Sequence, residues 1–302
     1  MMKIPVLYIG GWGRSGSTLL GNVLGSIDGF QHIGEITYIW EHGWKYNHLC
    51  GCGTNFQECN FWKQVVKKAF SEKEIDIDKM IWIRNRYLSN KKVLWCLFTN
   101  KKVTQEINEY IDNLDKLYQA IYSVGNCRVI IDSSKIPIQA YILLLLNNID
   151  LHILHLIRDA RGCAFSWSKK IYREDAYLNQ KIEFEKYDAI HSTLKWDFWN
   201  SIFELFKLKV KYIRIKYENF ILDPISTLHN IARFVGFSVP WEKKEDIILK
   251  INHTVWGNPS RMKTGRVNFS LDEAWRKSMP LTDRLLVTSL SWPWLLYYGY
   301  WR

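Results

Sequence analysis

The segment Gly10-Gly11-Trp12-Gly13-Arg14-Ser15-Gly16-Ser17-Thr18 constrains this chain more than any other. The short apolar run Val6-Leu7-Tyr8-Ile9 before it reads as a buried strand. After it, Ser17-Thr18-Leu19-Leu20 opens a helix with Leu20, Val23 and Leu24 on one face. Strand, glycine loop and helix in that order turn backbone amides toward one point, and the helix dipole favours negative charge there. Gly11, Gly16 and Thr18 keep the spacing of a nucleotide-triphosphatase phosphate loop, yet Ser17 stands where that loop carries its lysine. The nearby cation is Arg14. The loop is therefore expected to hold an anion, by means other than those of a nucleotide triphosphatase.

The same strand-and-helix pattern continues down the chain. Cys127–Asp132 reads as a strand, with Pro137 starting a helix through Ile138, Ile142, Leu145 and Leu146. Leu151–Ile157 is a further strand, followed by Arg158-Asp159 and a helix from about Arg161 to Tyr172. Tyr187–Leu208 fits a long amphipathic helix with Ile190, Leu194, Phe198, Ile202, Leu205 and Phe206 inward. Val210–Tyr217 is the fourth strand, and Pro224 and Gly236 bracket another helix. Such alternation predicts an α/β fold: one P-loop-like domain over residues 1–302, its central parallel sheet flanked by helices, with a helical insertion over 72–126.

Apolar residues make up 47% of the 302 positions and charged residues 24%, the balance of a globular chain with a substantial core. The formal charge of +11 favours a polyanionic partner: nucleic acid, an acidic membrane surface or a phosphorylated small ligand. The first apolar run is too short for a secretory leader, and Tyr141–Leu146 is too short to span a bilayer, so a cytoplasmic protein is expected.

A second anion site is legible in Leu156-Ile157-Arg158-Asp159-Ala160-Arg161-Gly162, with Ser166 following. An arginine at a strand end and a serine on the second turn of the next helix can converge on one phosphate. Arg14-Ser15-Gly16-Ser17-Thr18-Leu19-Leu20 resembles the first cofactor element of sulfotransferases that use 3′-phosphoadenosine-5′-phosphosulfate (PAPS), in its tyrosylprotein and bacterial version. Arg158 and Ser166 resemble the second element, which implies that they hold the 3′-phosphate. Tyr217-Glu218-Asn219-Phe220 with Asp223-Pro224 is similar to a later family signature, implying that Tyr217 shapes the cofactor pocket. The stretch from His253 through Gly257-Asn258-Pro259-Ser260-Arg261 to Gly265 and Trp275 resembles the closing segment of the bacterial members. Arg261 and Lys263 are there candidates for the 3′-phosphate or adenine side, or else parts of an exposed basic loop.

The resemblance implies a PAPS-dependent enzyme that transfers sulfuryl in line to a hydroxyl, or an amine, of a small molecule or carbohydrate, and releases 3′-phosphoadenosine-5′-phosphate (PAP). Such chemistry needs a base, a cation on the leaving phosphate and donors on the sulfuryl oxygens. In His32-Ile33-Gly34-Glu35-Ile36, Glu35 matches the glutamate base of the tyrosylprotein-type enzymes, with His32 in reserve. Arg14 and Lys135, in Asp132-Ser133-Ser134-Lys135, are the cations, and Ser133 or Ser134 the added donor; Lys135 could instead only cap its strand. Protein cations then do the work of the metal in a kinase, and no metal is expected.

Cys50-Gly51-Cys52-Gly53 with Cys59 suggests zinc, with His48 or His42 as a fourth ligand. The tight spacing and missing second pair favour a structural loop near the acceptor instead. The aromatic end Ser291–Trp301 is expected to pack on the domain rather than to anchor in a membrane. A homodimer is compatible with the sequence, and the acceptor is a secondary metabolite, carbohydrate or glycolipid. Two rivals remain: a P-loop kinase, opposed by Ser17, and a nucleic-acid binder, opposed by the scatter of the lysines.

Overall fold

Near-continuous runs of β-branched and aliphatic residues specify strands buried on both faces, the signature of a covered parallel sheet. In a computed structural model of the chain, which describes residues 3–71, 75–99, 105–170, 172–173, 182–183 and 185–301, five such strands form one sheet. They are β1 (Ile4–Gly10), β2 (Phe30–Gly34), β3 (Val129–Lys135), β4 (Ile149–Ile157) and β5 (Lys211–Lys216). The spatial order is β2-β3-β1-β4-β5, and every pairing is parallel. β1 is central. Its chain leaves toward β2 and β3, and the later connection crosses over to β4, so a crevice opens at its carboxyl end.

The helices in chain order are α1 (Ser17–Leu24), α2 (Asn60–Phe70), α3 (Ile77–Tyr87), α4 (Asn90–Thr99), α5 (Gln105–Val124) and α6 (Pro137–Leu145). They continue as α7 (Ala160–Ser168), α8 (Ala189–Phe206), α9 (Tyr217–Leu222), α10 (Pro224–Phe234), α11 (Ala274–Ser278) and α12 (Leu281–Tyr297). Strand alternation sorts the core into two layers. Val6, Tyr8, Ile130 and Ile153 face a cluster with α2, α5, α6 and α8. Leu7, Ile9, Ile131, Leu154 and Leu156 face α1, α9 and α10 on the other side. A third cluster joins Trp12, Trp196, Leu295 and Tyr298, so the aromatic chain end packs on the fold as expected. None of the described helices is long and apolar enough to cross a membrane.

The parallel sheet, its flanking helices and the helical run α3–α5 follow the sequence reading, apart from positions 72–74 and 100–104 of that run, which lie outside the described residues. Three particulars differ. β3 runs on through Ser133, Ser134 and Lys135, because parallel pairing with β1 carries the ladder to Gly10↔Lys135. The helix after Arg158 is shorter than expected and ends at Ser168. The inward face of α8 holds Ile202 and Phe206 as expected, but its first half differs: Ile190 is 47% exposed and Leu194 52%. Also buried are Ser192, Thr193, Trp196, Asn200, Phe203 and Glu204.

The physical reason is polar. The Asn200 Oδ1 pairs with His155 Nε2 at 2.8 Å, and Glu204 accepts from Tyr212 at 3.1 Å and from Arg214 at 3.0 Å. These bonds satisfy Asn200 Oδ1 and the Glu204 carboxylate, groups that a hydrophobicity count places outside. Burial alone would raise the Glu204 carboxyl, but bonds from His155 and Arg214 bring it down to about 2. Phe203→Ala is expected to cost about 3–5 kcal/mol in urea unfolding, and Leu194→Ala to stay within about 0.5 kcal/mol. The reverse order would restore the apolar-stripe face.

Candidate functional site

All five strands deliver a side chain or loop of interest at their carboxyl ends. After β1, the chain enters Gly11 at φ 125°, Arg14 at φ 67° and Gly16 at φ 86°. At Gly11 the requirement for glycine is absolute, since an added Cβ would lie 2.3 Å from the Leu156 carbonyl oxygen. Gly16 precedes α1 with no side-chain cap, so the first-turn amides, flanked by Ser17 and Thr18, keep their donors for another acceptor. The Ser15 hydroxyl turns into the loop: it donates to the Trp12 carbonyl at 2.6 Å and lies 3.6 Å from Cys163 Sγ. Arg14 lies over the Trp167 ring at 4.8 Å, and the Trp167 indole donates to the Gly13 carbonyl. Burial lowers the Arg14 guanidinium from its usual value, partly offset by the charge of Glu35.

Glu35 follows β2 directly, and Lys135 ends β3. Their side chains form an ion pair at 2.5 Å and are 14% and 16% exposed. Lys135 holds the left-handed conformation, φ 67°, and its ammonium also donates to the Ser133 carbonyl at 3.2 Å. That strain places the ammonium back over the strand end rather than beyond it. Glu35 is backed by a late segment: its amide donates to the Val255 carbonyl, and a Cβ on Gly257 would stand 2.8 Å from its Oε1. On the other side, Arg84 of α3 bonds the Thr37 carbonyl and the Glu41 carboxylate, fixing the helical run to the turn after Glu35.

The neighbouring polar groups are committed inward. His32 is buried between Asn22 Oδ1 at 3.2 Å and the Ser133 hydroxyl at 2.9 Å. Burial, aided by Lys135 and Arg261, lowers it to about 3. A neutral histidine enclosed in this way is structural, not a reserve base. The Ser134 hydroxyl donates to Asp132 Oδ1 at 2.5 Å and accepts from the Thr37 amide, so it is not turned toward the crevice. Tyr118 donates to the other oxygen of Asp132. Burial raises the Asp132 carboxyl to about 6 against these bonds.

At the end of β4, Arg158 joins three parts of the chain. It donates to the Arg14 carbonyl at 3.0 Å and to Asp272 Oδ2 at 3.0 Å, and it lies 4.7 Å over the Tyr217 ring, at the start of α9. Tyr217 in turn packs on Gly16, where a Cβ would meet its ring at 2.6 Å. Asp272 lies outside any motif, and only its proximity in the fold makes it visible. Arg161 forms an ion pair with Asp159, both buried, which is a structural role. Ser166 lies on α7 as expected, half-buried and without a bond to Arg158.

The closing segment divides. Lys263 is exposed, whereas Arg261 is buried in a 3₁₀ turn and donates to the Leu49 carbonyl at 2.8 Å, so it is no part of an exposed basic loop. Asn22 of α1 holds the same turn by donating to the Ser260 and Arg261 carbonyls. His253, Cys50, Cys52 and Cys59 converge, all four ligand atoms within 4.8 Å of one another. His48 and His42 lie instead in a stack with Trp256.

The His32 shift has a testable sign. The unfolded histidine takes up a proton below about pH 6.5, but the folded one does not until about 3, so stability is lost as pH falls through this window. Wild type should lose up to about 1.4 kcal/mol per pH unit between pH 6 and 4 from this group, read by urea unfolding. His32→Gln should flatten that slope, and an unchanged slope would show that His32 is not the responsible group.

Comparison with known proteins agrees with this architecture. The sequence model of the sulfotransferase family matches residues 5–243. The sulfotransferase domain from the curacin biosynthetic pathway is similar in structure, with a TM-score of 0.52 at 14% identity, covering 96% of this chain and 98% of that one. The sulfotransferase domain of the Synechococcus PCC 7002 olefin synthase has a TM-score of 0.48 at 15% identity, over 95% and 94% of the two chains. Retinol dehydratase, solved with retinol and PAP, has a TM-score of 0.38 at 10% identity, over 98% and 82%. No curated protein sequence matches the chain. At these identities the curacin-pathway likeness speaks to fold alone, but the family match spans most of the sequence. The chain belongs to the PAPS-dependent sulfotransferase family.

Proposed function

We propose that the chain, acting as one domain, transfers the sulfuryl group of PAPS to a hydroxyl of a small-molecule or carbohydrate acceptor, with an amine as the variant nucleophile. The observation that carries this reading is the Glu35–Lys135 pair at the sheet edge, together with the uncapped loop Arg14–Thr18 that follows the adjoining strand. The loop amides with Ser17 and Thr18 bind the 5′-phosphosulfate, Ser15 shapes the loop, and Arg14 adds charge at the sulfuryl oxygens.

The nucleophile attacks sulfur as the bond between sulfur and the bridging oxygen breaks. Glu35 takes the acceptor's proton, and the electron pair leaves on the 5′-phosphate of PAP. Lys135 has three donors, of which one serves Glu35 and one the Ser133 carbonyl. The third is available for the bridging oxygen, so a single ammonium couples the base to the leaving group. With Arg14 and Lys135 in these places, the transfer needs no metal ion at the reacting centre.

Arg158 and Ser166 bind the 3′-phosphate, the arginine exchanging Asp272 for the ligand. Tyr217 packs beside them, while Arg261 supports the pocket from behind and Lys263 reaches the nucleotide from the closing segment. The half-buried Trp167 and Tyr187, 4.9 Å apart centroid to centroid, offer apolar surface on the acceptor side. The helical run joined through Arg84 completes that wall.

Calorimetric titration with PAP tests the donor, with ATP and the analogue lacking the 3′-phosphate alongside, each with and without Mg²⁺. Binding that needs the 3′-phosphate and ignores Mg²⁺ is expected. Arg158→Ala should weaken PAP about 10- to 100-fold and the analogue lacking the 3′-phosphate distinctly less. Glu35→Gln should lower kcat about 10²- to 10⁴-fold at near-normal PAP affinity. Binding of ATP with Mg²⁺ in preference to PAP would replace this reading with a kinase.

A further inference from the structure

Three cysteines and one histidine meet far from one another in sequence. Cys50, Cys52 and Cys59 lie on the loop before α2, and His253 arrives from the closing segment. Cys52 and Cys59 Sγ are 3.6 Å apart, and His253 Nδ1 is 3.3 Å from Cys59 Sγ and 3.8 Å from Cys50 Sγ. All of the cysteines are free thiols. Ligands about 2.0–2.3 Å from a tetrahedral zinc ion sit about 3.3–3.8 Å from each other, so these separations match the edges of such a site.

The surroundings agree. Cys50 and Cys59 are buried, and Phe61 stacks on the His253 ring at 4.8 Å with an 8° interplanar angle, fixing the imidazole. A disulfide between Cys52 and Cys59 would leave a buried thiol and a half-buried histidine beside it with no common task.

We propose that Cys50, Cys52, Cys59 and His253 bind one structural Zn²⁺ ion that ties the loop before α2 to the closing segment. Binding releases the three thiol protons to solvent, while neutral His253 gives its Nδ1 lone pair. Four protein ligands close the coordination shell and leave no position for substrate, which makes the ion structural rather than catalytic. Local spacing points to an ordinary cysteine loop because the candidate fourth ligand lies 194 positions from Cys59.

What the ion holds is the strand-like stretch through Thr254 and Val255. Gly51 N–H donates to the Thr254 carbonyl, Val255 N–H to the Ile33 carbonyl, and Glu35 N–H to the Val255 carbonyl. The ion therefore fixes the backbone behind Glu35, a positioning role two residues from His253. Whether metal is present does not depend on the donor or acceptor proposed above.

Elemental mass spectrometry on the purified, untreated protein should find about one zinc per chain, and zinc-edge absorption should give three sulfur and one nitrogen neighbours. Cys52→Ser and His253→Ala should lose the metal, and His48→Gln should keep it. Chelation should speed hydrogen exchange at the amides of Glu35, Gly51 and Val255 ahead of the sheet core, and added Zn²⁺ should restore protection. Wild-type protein without zinc, or with Cys52 and Cys59 joined in a disulfide, would overturn the site. Zinc loss that leaves those amides protected would overturn its role as a staple.

Discussion

The guanidinium of Arg158 is the joint on which the crevice depends. Standing at the end of β4, it holds the Arg14 carbonyl in the glycine loop, the Asp272 carboxylate in the late chain and the face of Tyr217. An arginine can do this because its planar fork offers donors in several directions and a face for stacking. Asp272 lies below its ordinary carboxyl range: burial alone would raise it, and the bond and charge of Arg158 outweigh that effect. A phosphate dianion is a stronger partner than one carboxylate, and Asp272 is the exposed member of the pair, so it is the one that can be displaced. Asp272 thus balances a charge that the fold keeps buried at Arg158.

The strand, glycine loop and helix at residues 4–24 were legible because each step is local. A run of aliphatics, a turn that only glycine tolerates and a helical stripe lie next to one another in sequence. The same holds for Arg158 and Tyr217, since a strand end brings them to the crevice whatever the rest of the chain does. Glu35 and Lys135 were legible as single residues but not as a pair. Their contact at 2.5 Å exists because β2 adds to the outer edge of β3, a pairing that no local pattern encodes.

What was not legible shares one cause, namely buried polar groups satisfied at long range. Asn200 and Glu204 of α8 are buried beside Ile202 and Phe206 because His155, Tyr212 and Arg214 meet them from the sheet. Ile190 and Leu194 remain exposed as a result. His32 looked like a spare base in sequence, but its two bonds, to Asn22 and Ser133, consume both ring nitrogens. Arg261 could be read in sequence as part of an exposed basic loop and is instead an anchor to Leu49. In each case hydrophobicity counts misjudge the residue because the free energy of an unsatisfied buried donor exceeds that of one exposed apolar side chain.

The closing segment poses a mechanical problem that the cysteine cluster answers. It adds to the sheet beside β2 through a single bridge, Gly34↔Val255, with two backbone hydrogen bonds. Each such bond contributes about 1 kcal/mol net, too little to hold a strand edge against the entropy of ordering it. Yet Glu35 takes its backing from that edge, through Val255 and Gly257. Apolar burial adds to this, since Val255 is buried in the main core and the half-buried Trp256 packs against it. The proposed tetrahedral ion immediately before this stretch adds a further constraint at one point. Glu35, the proposed base, then stands against a segment held by packing, backbone hydrogen bonds and the ion together.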